Sequence, residues 1–242
     1  MVPAWLAFFD GILAVTLVAV GVIGAHFYFA APFFGFQLFL FGFVLGVLGL
    51  ILGLIGLLLT RSGPRRAARP RAVIGTLLSV AVALPIFAIL TAHSKYPPIN
   101  DITTDFENPP EYVHAMELVP NQGRDMKYNR DHYMAPQQKG YPPLGPATIN
   151  GDPAAVFERV KTLASNMPDW QITYLDPKTM TLEGVCTTHL FHFQDDFVIQ
   201  VRPGPNGASL VEMRSKSRDG IGDFGVNYNR IVMFFDKLRA AG

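Results

Sequence analysis

Three long apolar runs open the chain, at 11–30, 33–59 and 72–92, and beyond residue 93 the pattern changes to short alternations broken by proline and glycine. At about 1.5 Å per residue, each run is long enough to cross roughly 30 Å of hydrocarbon. The spacing therefore predicts three transmembrane helices. Only Ala31 and Pro32 separate the first two, which forces an antiparallel hairpin. Trp5, Phe8 and Phe9 at one end and Phe27, Tyr28, Phe29, Phe33 and Phe34 at the other occupy positions expected of interfacial aromatic belts. Pro85 removes a backbone hydrogen bond from the third helix and predicts a kink there.

Residues 94–150 read as an extended connector, because Pro97-Pro98, Pro109-Pro110 and Pro142-Pro143 disfavour long helices and central strands. Its tyrosines, Tyr112, Tyr128, Tyr133 and Tyr141, suit either a partner interface or packing around the chain's own domain. From 151 to 242 the pattern is that of a compact α-β-β-β-β-α module. Asp152 and Pro153 start a helix with Val156, Val160, Leu163 and Met167 on one stripe. Strands follow at 170–176, 180–187, 191–202 and 208–217. A last helix at about 224–240 buries Ile231, Phe234, Phe235 and Leu238. The fold class is thus a three-helix membrane segment (1–93) followed by an α+β extramembrane domain with a four-stranded antiparallel sheet and two helices.

Charge sharpens the division. Up to Thr60 the only acidic or basic side chains, tyrosine apart, are Asp10 and His26, whereas Arg61, Arg65, Arg66, Arg69 and Arg71 crowd the second connection with no acid among them. The positive-inside rule places that loop and the N-terminus in the cytoplasm and residues 94–242 on the opposite face, the periplasm of a bacterial inner or intracytoplasmic membrane. Five of the 20 Lys/Arg lie in this loop, which leaves 15 against 18 acids after residue 93 and no basic face for nucleic acid. Cys186 stands alone, which excludes an intramolecular disulfide.

Gly35, Gly42, Gly46, Gly49, Gly53 and Gly56 fall on one stripe of the second helix and let another helix backbone approach closely, from this chain or from another subunit. His26 and His93 lie near helix ends. Solvated interfacial histidines are the ordinary outcome, haem or chlorophyll ligation the sharper one, and no cofactor is expected. Asp10 is read as interfacial rather than as part of a proton relay.

The densest polar chemistry is RSKSRDGIGDFGVN, residues 214–227. In an alternating strand Ser215 and Ser217 share one face, and Arg214, Lys216 and Arg218 the other. Asp195 and Asp196, being adjacent, point to opposite faces and cannot converge on one metal or substrate. Asp196 is expected opposite Arg214 or Arg218 on an exposed face, and Asp195 near Ser215 or Ser217. His189 and His192 lack a third ligand at a recognised spacing. Gly220, Gly222 and Gly225 suit a turn better than an anion site. Asp223, Asn227 and Arg230 suit a helix cap and a helix-to-sheet clamp. No catalytic or metal site is expected.

INDITTDFENPP at 99–110, Gln138 with the following GYPP, the Trp170 strand, FQDDFVIQV at 193–201 and RSKSRDGIGDFGVNYNRI at 214–231 together resemble the family called domain of unknown function 1499. Three preceding transmembrane helices are similar to one of its bacterial arrangements. The resemblance implies no established activity, and relatives in photosynthetic organisms point to energy-converting membranes. The expectation is a non-enzymatic accessory or structural subunit of a larger membrane complex, with other membrane subunits as partners. The alternatives are a tethered lipid or apolar-ligand binding module and, third, a hydrolase.

Overall fold

The computed structural model describes residues 2–241, which divide into two compact units. One comprises the chain up to His93 together with His189–His192, and the other Ser94–Thr188 together with the chain from Phe193 onward.

In the first unit, helices α1 (Val2–His26), α2 (Pro32–Leu59) and α3 (Arg69–His93) are long and apolar enough to cross a membrane. Helix α1 starts at Val2 rather than near residue 11, taking Trp5, Phe8 and Phe9 into the helix. The buried positions of α2 are its six stripe glycines and nothing else. They face α1 and α3. A methyl group added at Gly42 would lie 2.8 Å from the Ala14 carbonyl oxygen, one at Gly46 3.0 Å from Val82, and one at Gly56 3.2 Å from both Ala4 and Ala72. The stripe is thus occupied within the chain. Large side chains point outward instead, Phe41, Leu58 and Leu77 being about two-thirds exposed, as lipid-facing positions require. Asp10 is not simply interfacial: its Oδ2 and the Ser79 hydroxyl are buried over Gly49. The connection Gly63–Ala68 is a 3-10 turn, and the Arg71 guanidinium lies 4.0 Å from the centroid of the Trp5 ring. In His189–His192, the Phe191 ring is edge-on to Phe36 and Phe39, and His192 stacks on Tyr28 at 4.3 Å.

The second unit is built on a six-stranded sheet, not a four-stranded one. Strands β3 (Trp170–Asp176), β4 (Thr181–Thr187), β5 (Gln194–Pro203) and β6 (Ala208–Ser217) form an antiparallel meander. Two short strands from the proline-rich stretch, β1 (Asp101–Thr103) and β2 (Ala147–Asn150), pair antiparallel with successive halves of β6, closing an edge otherwise open to another chain. That stretch also forms helix α4 (Arg130–Gly140), despite Pro136 inside it. The Gln137 amide donates to the Thr103 carbonyl and accepts from the Thr103 N–H, which ties α4 to β1.

Helices α5 (Pro153–Ser165) and α6 (Val226–Ala240) pack on one face. Asp152 caps α5 by accepting from the Ala154 N–H. Phe197, Met213, Ile231, Phe234 and Leu238 are completely buried there, and the Trp170 ring lies 4.2 Å from Phe197 and 5.3 Å from Phe234. These rings fill the space that a ligand between sheet and helices would need. Tyr112, Ala115 and Met126 pack with Val198 on the other face. The sheet is therefore covered on both sides.

Candidate functional site

Strand β6 displays its side chains alternately, and each face holds its own ionic network. On the face covered by the proline-rich stretch, the fully buried Arg214 donates from Nε and Nη2 to both oxygens of the fully buried Asp101, at 2.8 and 2.7 Å. Lys216 adds a third contact to Asp101 at 2.9 Å. The guanidinium also donates to the Met126 carbonyl and lies 4.8 Å from the centroid of Tyr112 and 5.3 Å from that of Tyr128. Burial alone would lower the pKa of Arg214. The Asp101 hydrogen bonds and charge override it and hold the value above the usual one. One step along, Asp196 accepts from both Nε and Nη2 of Arg218 and from Arg124, while its backbone carbonyl accepts from the Tyr112 hydroxyl. Glu183 accepts from the N–H groups of Val113, His114 and Ala115, pinning the covering stretch to β4.

On the helix face, Arg230 of α6 pairs with Asp195 and donates to the Ser215 hydroxyl, which itself donates to Asn227 Oδ1. The Asn227 amide donates to Ser217 Oγ at 2.9 Å. Asp223 accepts from the Gly225 and Asn227 N–H groups and from the Tyr141 hydroxyl. Burial pushes the Asp223 carboxyl up, against the pull of those N–H groups, and it likewise pushes up the Cys186 thiol despite the neighbouring Arg230.

Several expected placements change. Asp195 and Asp196 do face opposite ways, but Asp195 is held by Arg230 and not by a serine. Arg214 pairs with Asp101, and the pairs are buried rather than exposed. The register explains this, since Arg214 lies opposite Val198 and Thr103 rather than Asp196. Gly220 and Gly225 adopt the left-handed conformation, with φ of 78° and 84°, as does Phe224 between them at 52°. Sequence reasoning missed Asp101, Glu183, Arg124 and Gln137. An acid between two isoleucines, Ile99 and Ile102, was the available signal for Asp101.

Chemically, the arrangement ties groups down. Ser215 is fully buried, beside a guanidinium and an amide rather than a base, so it is not poised as a nucleophile. Among the described residues, no three His, Cys, Asp or Glu side chains converge as a metal ion would require. His26 lies beside His192, ring centroids 5.3 Å apart, and His93 Nδ1 sits 2.8 Å from the Ile89 carbonyl oxygen. A groove of about 440 Å³ runs between the covering stretch and the ends of β4 and β5, lined in part by Glu107, Glu111, Thr181, Gln200 and Arg202.

No curated protein matches the chain. A family model described as "Protein of unknown function (DUF1499)" matches residues 101–238, more than half the sequence. The match begins at Asp101 and takes in every member of both networks. The chain belongs to the DUF1499 family.

Proposed function

We propose that the protein is a non-enzymatic, membrane-anchored accessory subunit of a larger membrane assembly, with the sheet domain on the face opposite the arginine-rich 61–71 loop. One observation carries this reading: the side chains of Arg214, Ser215, Lys216, Ser217, Asp223, Asn227 and Arg230 are buried and engaged with partners inside the same domain, which leaves that domain an outer surface to offer. The groove beside Glu111 and Arg202 offers a concave site on that surface to a neighbouring chain. Occupation of the glycine stripe within the chain moves the expected partner contact away from α2 and toward the sheet domain. A lipid-binding reading finds less support, because Trp170, Phe197 and Phe234 fill the layer between sheet and helices.

Gentle detergent extraction from the native membrane, followed by native-gel and mass analysis, tests the proposal. Co-migration with defined membrane subunits, respiratory or photosynthetic ones among them, is expected. A lone monomer throughout defeats it.

A further inference from the structure

Residues 1–93 contain a single acid, Asp10, and it does not sit at a helix end. It lies eight positions into α1 from Val2, Ser79 lies ten into α3 from Arg69, and Gly49 lies ten before the end of α2 at Leu59. At about 1.5 Å per residue, each is roughly 12–15 Å from the end of the bundle where Ala4, Gly56 and Ala72 meet. The three positions come together there. A Cβ at Gly49 would collide with both Asp10 Oδ2 and Ser79 Oγ, and alongside, a Cβ at Gly11 would stand 2.9 Å from the Gly75 carbonyl oxygen. The missing side chain at Gly49 thus makes room for two polar groups in a backbone-to-backbone contact.

Both groups are orphaned. Ser79 is completely buried, Asp10 Oδ2 is shielded, and neither Oδ2 nor Ser79 Oγ has a hydrogen-bond partner among the described residues. The exposed side chains around Asp10, namely Leu6, Phe9 and Leu13, are of the lipid-facing kind. No neighbouring cation compensates a charge at this position. Helix α2 has no titratable side chain, α1 otherwise has only His26, and α3 has Arg69, Arg71 and His93. Arg69 donates to the Leu57 carbonyl at 3.2 Å. Arg71 lies over Trp5, eight positions and about 12 Å along α3 from Ser79. His26 and His93 are more than about 20 Å away along their helices. A bare carboxylate in such surroundings is costly, and binding a proton both removes the charge and supplies the donor that the two oxygens lack.

We infer that Asp10 is a proton-binding site inside the helical unit, its neutral carboxyl hydrogen-bonded to Ser79 over Gly49 and latching α1 to α3. Ser79 is the positioning residue. Among the described residues of the three helices, no titratable group lies between Asp10 and His26 or between Ser79 and His93, so the site is a proton-operated latch and not a step in a transmembrane relay. Release of the proton leaves a charge between the two helices and loosens their contact, whatever the protein assembles with.

Infrared spectra of the full-length protein in detergent at neutral pH, minus those of Asp10→Asn, test the site. A carboxylic acid C=O band is expected in the difference, the acids of the sheet domain cancelling, and Ser79→Ala should move it to higher wavenumber by removing one hydrogen bond. A carboxylate band in its place overturns the inference, as does an acid band that Ser79→Ala leaves unmoved. A second measurement uses the unsubstituted protein, where no folding defect intervenes. Dicyclohexylcarbodiimide enters apolar sites and reacts with a protonated carboxyl: the proton passes to a carbodiimide nitrogen as the carboxyl oxygen adds to the central carbon, and nothing leaves. Peptide mass analysis should find the adduct on Asp10, fading as the pH is raised, while a water-soluble carbodiimide leaves Asp10 unlabelled. Absence of the adduct overturns the inference. Protection of Asp10 by sodium also overturns it, since the site would then be one for a metal cation.

Discussion

The two units solve opposite packing problems. In the helical unit the contact surfaces are almost bare backbone: Gly42 against Ala14, Gly56 against Ala4 and Ala72, with the large side chains turned outward. In the sheet domain β6, which pairs with β5 on one side and with β1 and β2 on the other, buries Arg214, Lys216, Ser215 and Ser217, pairing the two cations with the distant Asp101 and the two serines with Asn227 of α6. Among lipid tails there is little hydrophobic gain in hiding leucine, so close approach and dispersion decide which helix faces meet. In water the apolar layers drive collapse, and the buried charges select which strand and which helix go where. Adhesion is therefore generic in the first unit and addressed, residue by residue, in the second.

If that contrast is right, single substitutions should hurt unequally. The largest effect is expected from Asp101→Ala, which leaves Arg214 and Lys216 without their shared carboxylate in a dry site. A loss of about 3–5 kcal/mol is expected, read as a collapse of the denaturant midpoint of the detergent-solubilised protein. Gly42→Leu in the helical unit should cost less, about 1–3 kcal/mol, by pushing α1 from α2. Its signature is a lowered thermal midpoint with near-ultraviolet circular dichroism of the sheet domain unchanged.

A smaller effect should appear with pH. The Asp223 carboxyl sits above its ordinary 3.8 in the folded protein, so its contribution to stability is full below that value and is lost as pH rises through the raised one. Glu212, raised above 4.5 by burial, acts in the same direction. Asp223→Asn should flatten the part of the stability profile that lies above pH 3.8, measured by urea titration at each pH. The smallest change is expected from Glu107→Gln, whose pairing with Arg130 is exposed on both sides and contributes at most about 1 kcal/mol. A shift as large as that of Asp101→Ala would erase the distinction between buried address and surface ornament.

How much of this could be read in advance follows the same divide. The spans, the glycine stripe, the Asp152 cap and strands β3 and β6 were legible because they depend on local periodicity. Strand β1 was not, since three residues buried on both faces show no alternation. The partner of Arg214 was hidden for a related reason: Asp101 lies 113 positions away, and no local pattern encodes that distance. The proline pairs argued against a helix in 94–150, but α4 forms there with Pro136 inside it and Gln137 anchored to Thr103, tertiary contacts outweighing that preference. The function of the 214–230 signature was legible least of all, because a dense polar motif reads alike whether it waits for a substrate or binds itself.

The pairing of β1 with β6 also sets a timetable. Asp101 leaves the ribosome long before Lys216, to which it is joined in the finished sheet. At about 5–20 residues per second, the carboxylate waits several seconds or more for its cations. Contacts of such sequence separation fold slowly, because loop closure precedes any gain from pairing. Until β6 arrives, the proline-rich stretch has no edge to zip onto, so a chain truncated before Arg214 should persist as an open, protease-sensitive tether on an otherwise completed membrane anchor.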